Sequence, residues 1–387
     1  MRTTLVRLLV ASLVVAAAGC SKKSGEAAGG GEIVIGQYGS LSGENGAFGT
    51  SSANGVTLAI EEINAAGGVL GKQVRVVTED NQSKTEQVTT VVKKLINQDK
   101  VVAVLGEVAS SRSMAGSAVC EDAHIPMVSP SSTNANVTVD ARTGQVKPYT
   151  FRVCFIDPFQ GTVMGKFAFE TQHYTKVAVL YDVKQDYSTG LAQYFEEEFA
   201  RLGGQVVTKE SYTGGDTDFR AQLTSIKNAG AEAIFIPGYY NDAGNIARQA
   251  RSLGITTPLL GGDGWSDPSL FTLGGDAIEG SCVSDHYSAE NPDPIVQNFV
   301  QKYQQRFSQT PSGLSACAYD AAKILCDAIT RAGSTAPDAI RDALAATKDF
   351  KGATGTISIN EQHNAVKPAT VVRVEKGVFR YVTTINP

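Results

Sequence analysis

Short apolar runs alternate with amphipathic stretches along most of this chain, and few architectures accept that order. Ile33-Val34-Ile35, Val74-Arg75-Val76-Val77, Val101-Val102-Ala103-Val104-Leu105 and Pro126-Met127-Val128 read as strands. Between them the spacing predicts helices over 53–66, 86–97 and 114–123. In the first, Val56, Ala59, Ile60 and Ile63 share one face, and Gly67-Gly68 ends it. A second series starts near residue 158, with strands at 177–181, 205–207, 233–236 and 258–260 and helices over 191–202, 219–229 and 244–253. Strands that return through helices imply parallel sheets covered on both faces. The expected fold class is α/β, with two doubly wound parallel-sheet lobes. Helices over 295–306, 314–331 and 336–345 then precede short strands at 355–359, 369–374 and 378–382. Spacing alone leaves open which lobe this tail completes.

The 387 residues suffice for two lobes, and 42% apolar with 19% charged is a soluble balance. The start differs. Arg2 and Arg7 accompany an apolar stretch over 8–15 that is too short to span a bilayer comfortably. Ala16-Ala17-Ala18-Gly19-Cys20 follows, and small residues before a cysteine resemble a lipobox, although Ala17 stands where Leu is preferred. The expectation is a signal peptide over 1–19, lipidation of Cys20 and a flexible tether over 20–31, SKKSGEAAGGG after the cysteine. Ordinary secretory cleavage with Cys20 unmodified is the alternative. Such a protein is anchored to a membrane, in the periplasm or at the cell surface. Losing Arg2 and Arg7 takes the net charge from −5 to −7, and with no basic run nucleic acid is a poor partner.

Cys120, Cys154, Cys282, Cys317 and Cys326 remain, with no CxxC pair. An exported compartment permits disulfides. Cys120 ends a predicted helix and Cys154 lies in the strand closing the same lobe, so a Cys120–Cys154 bridge is expected, with two buried thiols as the alternative. Pairing of the other three stays open.

Two strand ends carry the first candidate site. Val101–Leu105 opens into Gly106-Glu107-Val108-Ala109-Ser110-Ser111-Arg112, and 125–128 opens into Ser129-Pro130-Ser131-Ser132-Thr133. A buried strand emptying into free amides and hydroxyls at a helix start suits a carboxylate. Helix capping explains each Ser or Thr taken alone. Asp263, in Gly261-Gly262-Asp263-Gly264-Trp265, could face an ammonium, or be an Asx-turn residue. Phe48, Tyr187, Tyr239, Tyr240 and Trp265 could wall a side-chain pocket with polar tips. Enzyme signatures are missing. Gly39-Ser40-Leu41-Ser42-Gly43 has Leu at the centre, so it is no nucleophile elbow. His124, His173, His286 and His363 lie far apart without ligand spacing, so no metal or cofactor is expected.

Taken together, Ile35-Gly36 through Leu41-Ser42-Gly43, Ala66-Gly67-Gly68, Pro130-Ser131-Ser132-Thr133, Asp186-Tyr187-Ser188-Thr189-Gly190, Gly261-Gly262-Asp263-Gly264 and Ala318-Tyr319-Asp320 carry a resemblance over residue 32 to the C-terminus. The chain resembles the substrate-binding proteins of branched-chain amino-acid ABC transporters, the leucine/isoleucine/valine-binding family with the type I periplasmic-binding fold. The resemblance implies a Venus-flytrap whose lobes are joined by three crossovers: lobe 1 over 32–152 plus 283–364, lobe 2 over 153–282 plus 365–387. It implies that Ser110 and Thr133 hold the ligand carboxylate. The carbonyl of Ser131 and the acid at Asp263 hold its ammonium, and Phe48, Tyr187 and Tyr239 surround its side chain. Ala109, Ser132 and Trp265 join the expected ligand-binding set. The partners implied are a small amino acid and permease subunits, for a monomer that performs no catalysis. Receptors for amides, short peptides or aromatic acids, and a hydrolase using Ser110 or Ser132, are the rival readings. The chain departs from the family in three places. Asp263 replaces a Glu, a cysteine pair falls on Gln82 and Ala109, and Arg112 follows the carboxylate loop. Arg112 is either a surface helix residue or a bias toward a second acidic group.

Overall fold

A computed structural model describes residues 31–387. The expected signal peptide, Cys20 and all of the tether but Gly31 lie outside the described residues. The strands are β1 (Ile33–Gly39), β2 (Val74–Asp80), β3 (Ala103–Leu105), β4 (Met127–Ser129), β5 (Thr150–Arg152), β6 (Lys176–Asp182), β7 (Gln205–Tyr212) and β8 (Ala233–Ile236). They continue as β9 (Leu259–Gly261), β10 (Cys282–Asp285), β11 (Phe350–Gly352), β12 (Gly355–Ile359), β13 (Ala365–Val366), β14 (Ala369–Glu375) and β15 (Val378–Ile385). The helices are α1 (Gly46–Ala65), α2 (Thr85–Asn97), α3 (Ser110–Ala123), α4 (Asp157–Lys166), α5 (Asp186–Arg201) and α6 (Arg220–Ala229). After these come α7 (Tyr240–Ser252), α8 (Ser269–Gly274), α9 (Pro294–Phe307), α10 (Gly313–Ala332) and α11 (Pro337–Ala345).

One sheet has the order β2-β1-β3-β4-β5, with every pair parallel. The other runs β15-β14-β10-β9-β8-β6-β7, parallel except where β14 joins β10 and β15 antiparallel. The central strands β3, β4, β8 and β9 are wholly buried, as their unbroken apolar runs require. Of the edge strands, β2, β7 and β15 carry charges and stay half exposed, whereas β5 is buried. A small antiparallel sheet, β11-β12-β13, completes the tail.

Strand membership moves two expected boundaries. All of Cys282–Asp285 pairs in the second sheet, so the expected break at 283 falls inside β10. Val366 pairs with Ser358 in the small sheet, so the break at 365 falls inside β13. The chain therefore leaves one sheet system for the other after β5, after β10 and after β13. One apolar cluster joins β1, β3, β4 and α1 to α9, α10 and β12. Another gathers the helices and strands of the second sheet and also takes in Phe48, Val108 and Ala109 from the first half.

The observed helices start earlier than periodicity suggests. α1, α3, α5 and α7 begin at Gly46, Ser110, Asp186 and Tyr240, within segments expected to be loops. Their first residues are Gly, Ser, Asp and Tyr, which break the apolar repeat, although Phe48, Tyr187 and Tyr240 in those turns pack into the second core. α4 carries no readable stripe because Gly161 and Gly165 make its close approach to α5, and α8 has only 6 residues.

The expected Cys120–Cys154 bridge is not formed; the five described cysteines are free and buried. Cys120 packs between α3 and α2 with Tyr38, Val88 and Met127 on one face of the first sheet. Cys154 lies beyond β5 with its Sγ against the Ser132 carbonyl, 3.4 Å away. Burial pushes the Cys154 thiol up to about 12 and raises that of Cys120 further.

Two predictions follow from packing. A form lacking Cys20 should show no thiol reactive to a disulfide reagent while native and five after denaturation; three would restore the bridge. At Gly55, where α1 crosses α10, a Cβ would overlap the Ser315 carbonyl oxygen. Gly55→Ala should cost about 1–3 kcal/mol by overpacking despite the better helix propensity of Ala. An unchanged urea midpoint would contradict that.

Candidate functional site

The turn after β4 is shaped from beneath by one buried cation. Arg152, at the end of β5, donates through Nη1 to the carbonyls of Ser132 and Asn134, both at 2.8 Å. Its Nη2 reaches the Ala135 carbonyl at 3.3 Å and the Thr138 hydroxyl at 3.1 Å. With those carbonyls turned toward Arg152, the turn keeps its Ser131 and Thr133 hydroxyls free. Both oxygens are buried and without a hydrogen-bond partner. Ser132 has another task. Its hydroxyl lies 2.9 and 2.8 Å from the Glu107 and Val108 carbonyls and 2.6 Å from Ser113 Oγ, tying the two strand-end loops together. Ser110 Oγ accepts the Asn134 amide at 3.1 Å, which holds the same two loops in register. Ala109 is the extended residue before α3, whose N-terminus has no side-chain cap, leaving first-turn amides available.

Two carboxylates accompany this set, Asp157 directly beside Thr133. Asp263, in the helical turn after β9, accepts Gln160 Nε2 through Oδ1 at 2.8 Å and contacts His286 Nε2 through Oδ2 at 3.0 Å. Asp157 was not singled out from sequence. It opens α4, its amide donates to the Thr133 carbonyl at 2.9 Å, and both carboxylate oxygens are buried without a partner. Burial drives its pKa well above the ordinary carboxylate range; Asp263 adds to this, while the Thr133 hydroxyl and the Arg152 charge oppose it. The sequence signal that could have found it is an acid one residue before Pro158, where a helix starts on leaving β5.

Aromatic rings close the space. Phe48 meets Tyr239 edge-on with centroids 5.3 Å apart, and Tyr187 stacks on Tyr239 at 5.3 Å. Tyr187 accepts the Gly264 amide at 3.0 Å, whereas the Tyr239 hydroxyl is buried and unpartnered. Trp265 is fully buried and donates its indole N–H to the Ile236 carbonyl at 3.0 Å, so it offers no free polar tip. Tyr240 uses its hydroxyl on the Glu44 carbonyl at 3.1 Å.

Arg112 corrects the surface reading. It is buried, pairs with Glu107 at 3.2 Å and donates to Asn45 Oδ1 at 3.0 Å and the Ser83 carbonyl at 3.3 Å. Asn45 in turn donates to Asn241 Oδ1 at 3.2 Å, so the Arg112 cluster reaches across to the second sheet system. Ser51 to Asp267 at 2.9 Å and Ser111 to Asp186 at 2.8 Å cross the same divide. Among the described residues no cluster of His, Cys, Asp or Glu could hold a metal ion, and no helix is long and apolar enough to cross a membrane.

This geometry meets its counterpart in known proteins: residues 32–378 match the family described as periplasmic binding protein. The chain belongs to that family. A leucine-, isoleucine-, valine-, threonine- and alanine-binding protein of Pseudomonas aeruginosa is 31% identical to it, over 85% of this chain and 86% of that one. The leucine-binding protein LivK of Thermotoga maritima superposes with a TM-score of 0.87 at 38% identity, covering 92% of this chain and 99% of that chain. LivJ of Streptococcus pneumoniae, a branched-chain amino-acid transporter substrate-binding protein solved with isoleucine, gives 0.86 at 35%, covering 92% and 100%.

The buried carboxylate of Asp157 sets a pH dependence. Its pKa is raised on folding, so between about pH 4, where the unfolded side chain titrates, and that raised value the folded state holds the extra proton. Its contribution to stability is therefore present below that window and lost as pH rises through it. Asp157→Asn should raise the melting temperature of the ligand-free protein at neutral pH, and the gain should vanish toward pH 4. A loss at neutral pH, or a gain unaffected by pH, would contradict this.

Proposed function

We propose that this protein is the extracytoplasmic receptor of an ABC importer and captures an amino acid, branched-chain or otherwise aliphatic, between two lobes. The observation that carries the reading is the set of buried polar atoms left without partners: the hydroxyls of Ser131, Thr133 and Tyr239 and both oxygens of Asp157. The neutral donors suit the carboxylate of a zwitterion, and the carboxylates suit its ammonium. Apolar rings between them match an uncharged side chain. The relatives named for leucine, isoleucine and valine support the same ligand class.

In the proposed sequence of events the ligand first meets lobe 1, where Ser110, Thr133 and the free amides at the start of α3 seat its carboxylate. Lobe 2 then swings on the three crossovers and brings Asp157, Asp263, Tyr187 and Tyr239 to the ammonium and side chain. Closure is favoured only because the ligand touches both lobes; equal affinity for open and closed forms would shift nothing. Delivery to permease subunits, a monomeric state, a lipid anchor on Cys20 and a periplasmic or cell-surface location complete the proposal. No catalytic step is included. The Ser132 hydroxyl is engaged with two carbonyls and Ser113, and the Ser110 hydroxyl with an amide, so neither is placed beside a histidine base.

Calorimetric titration with leucine, isoleucine and valine should detect binding, and Thr133→Ala or Asp263→Ala should each weaken it by about 2–5 kcal/mol. Unchanged affinity in both variants would remove the assigned site. Ligand at a hundred times Kd should add about 2.7 kcal/mol to stability, read as a rise in melting temperature; amides, short peptides or aromatic acids raising it where aliphatic amino acids do not would replace the ligand class.

A further inference from the structure

His286 is the first residue after β10, where the chain departs from the second sheet. Its ring is fully buried and lies on Phe155 with centroids 4.1 Å apart. Three side-chain contacts staple the turn from Asp263 to Ser266 onto this crossover. His286 Nε2 meets Asp263 Oδ2 at 3.0 Å. Ser266 Oγ donates to Asp285 Oδ2 at 2.6 Å. Gln160 Nε2 bridges Asp263 Oδ1 at 2.8 Å and Ser284 Oγ at 2.9 Å. The His286 amide also donates to Asp285 Oδ1 at 2.6 Å.

The charged groups around the ring are Asp263, Asp285 and Lys367. Burial lowers the His286 pKa; Asp263 opposes that, and Lys367 adds to it. Burial pushes the Asp285 carboxyl up to about 7, Asp263 adding to the rise and the Ser266 hydroxyl, the His286 amide and Lys367 opposing it. The Lys367 ammonium is itself buried without a hydrogen-bond partner. A neutral imidazole carries one proton. Nδ1 is buried and has no partner, whereas Nε2 faces an acceptor, so the proton belongs on Nε2. The ring can then orient Asp263 without bringing a positive charge to it.

We propose that His286 is a positioning residue for recognition: as the Nε2–H tautomer it aims the Asp263 carboxylate at the ligand's α-ammonium and ties that carboxylate to the crossover. This rests on the amino-acid reading above. The test compares leucine with 4-methylpentanoate, which is leucine without its amino group, by competition at up to millimolar concentration. His286→Leu should weaken leucine at least about tenfold, the scale of one charge-assisted hydrogen bond, and weaken 4-methylpentanoate less than about twofold. His286→Gln, which can still donate, should recover most of the leucine affinity. Circular dichroism and the melting temperature verify that each variant is folded.

Equal losses for both ligands, or unchanged leucine binding in His286→Leu, would overturn the positioning role and leave the amino-acid reading standing. A wild-type protein that binds no α-amino acid would end both. Should His286→Leu fail to fold, imidazole nitrogen NMR of the intact protein decides. A neutral Nε2–H ring whose signals move in Asp263→Asn supports the role, and a ring indifferent to that change overturns it.

Discussion

The turn after β4 and the start of α4 depend on two buried titratable groups, the Arg152 guanidinium and the Asp157 carboxyl. The guanidinium accepts burial because carbonyls of the turn after β4 surround it, and in accepting them it leaves the turn's free hydroxyls facing the cleft. The carboxylate has no such shell. Ionising a buried carboxyl without a full set of hydrogen bonds is costly, and the Thr133 hydroxyl and the Arg152 charge offset only part of that cost. On the proposed reading, a ligand ammonium supplies what is missing, so the protein's least satisfied group becomes its means of recognition.

The contacts that cross between the two sheet systems are of a different kind. Ser51 to Asp267, Asn45 to Asn241, Asn134 to the Asp186 carbonyl and Tyr240 to the Glu44 carbonyl are polar bonds at part-buried sites, and Ser111 and Asp186 exchange two. Bonds of this type exchange readily with water and contribute modestly. Phe48, Val108 and Ala109 add apolar contact with the second core. On the proposed reading, a ligand that bonds to both sides biases this interface only by its differential affinity for the closed form. Arg112 and Asn45 extend the polar set from α3 to Asn241 of the second sheet system.

The strands and most helices were legible because buried parallel strands must be continuously apolar and covering helices must show one apolar stripe. Helix starts were not. Ser110, Asp186 and Tyr240 begin helices without adding to the stripe, since Ser and Asp break the apolar repeat and Tyr187 and Tyr240 join the second core only through tertiary packing. Thr133, Asp263, Tyr187, Tyr239 and Phe48 were singled out from strand-end chemistry and family likeness, and all five are buried. Asp157 and His286 were passed over because neither stands in a motif, and their surroundings come from other segments: Thr133 and Asp263 beside Asp157, and Asp263 beside His286. The cysteine pairing misled because helix α3 turns Cys120 to the face of the first sheet that Cys154 does not share.

The amino-acid sequence alone determined the α/β class, the double series of strands and helices, and the polar character of the strand ends. These are local properties, set by side-chain periodicity and by which residues tolerate burial in the middle of a sheet. Tertiary structure decided which carboxylates keep free oxygens, where Arg152 and Arg112 spend their donors, which sheet β10 joins, and that the thiols stay apart. Those outcomes depend on distances between segments remote in the chain, and hydrogen-bond geometry, unlike periodicity, exists only once the segments have met.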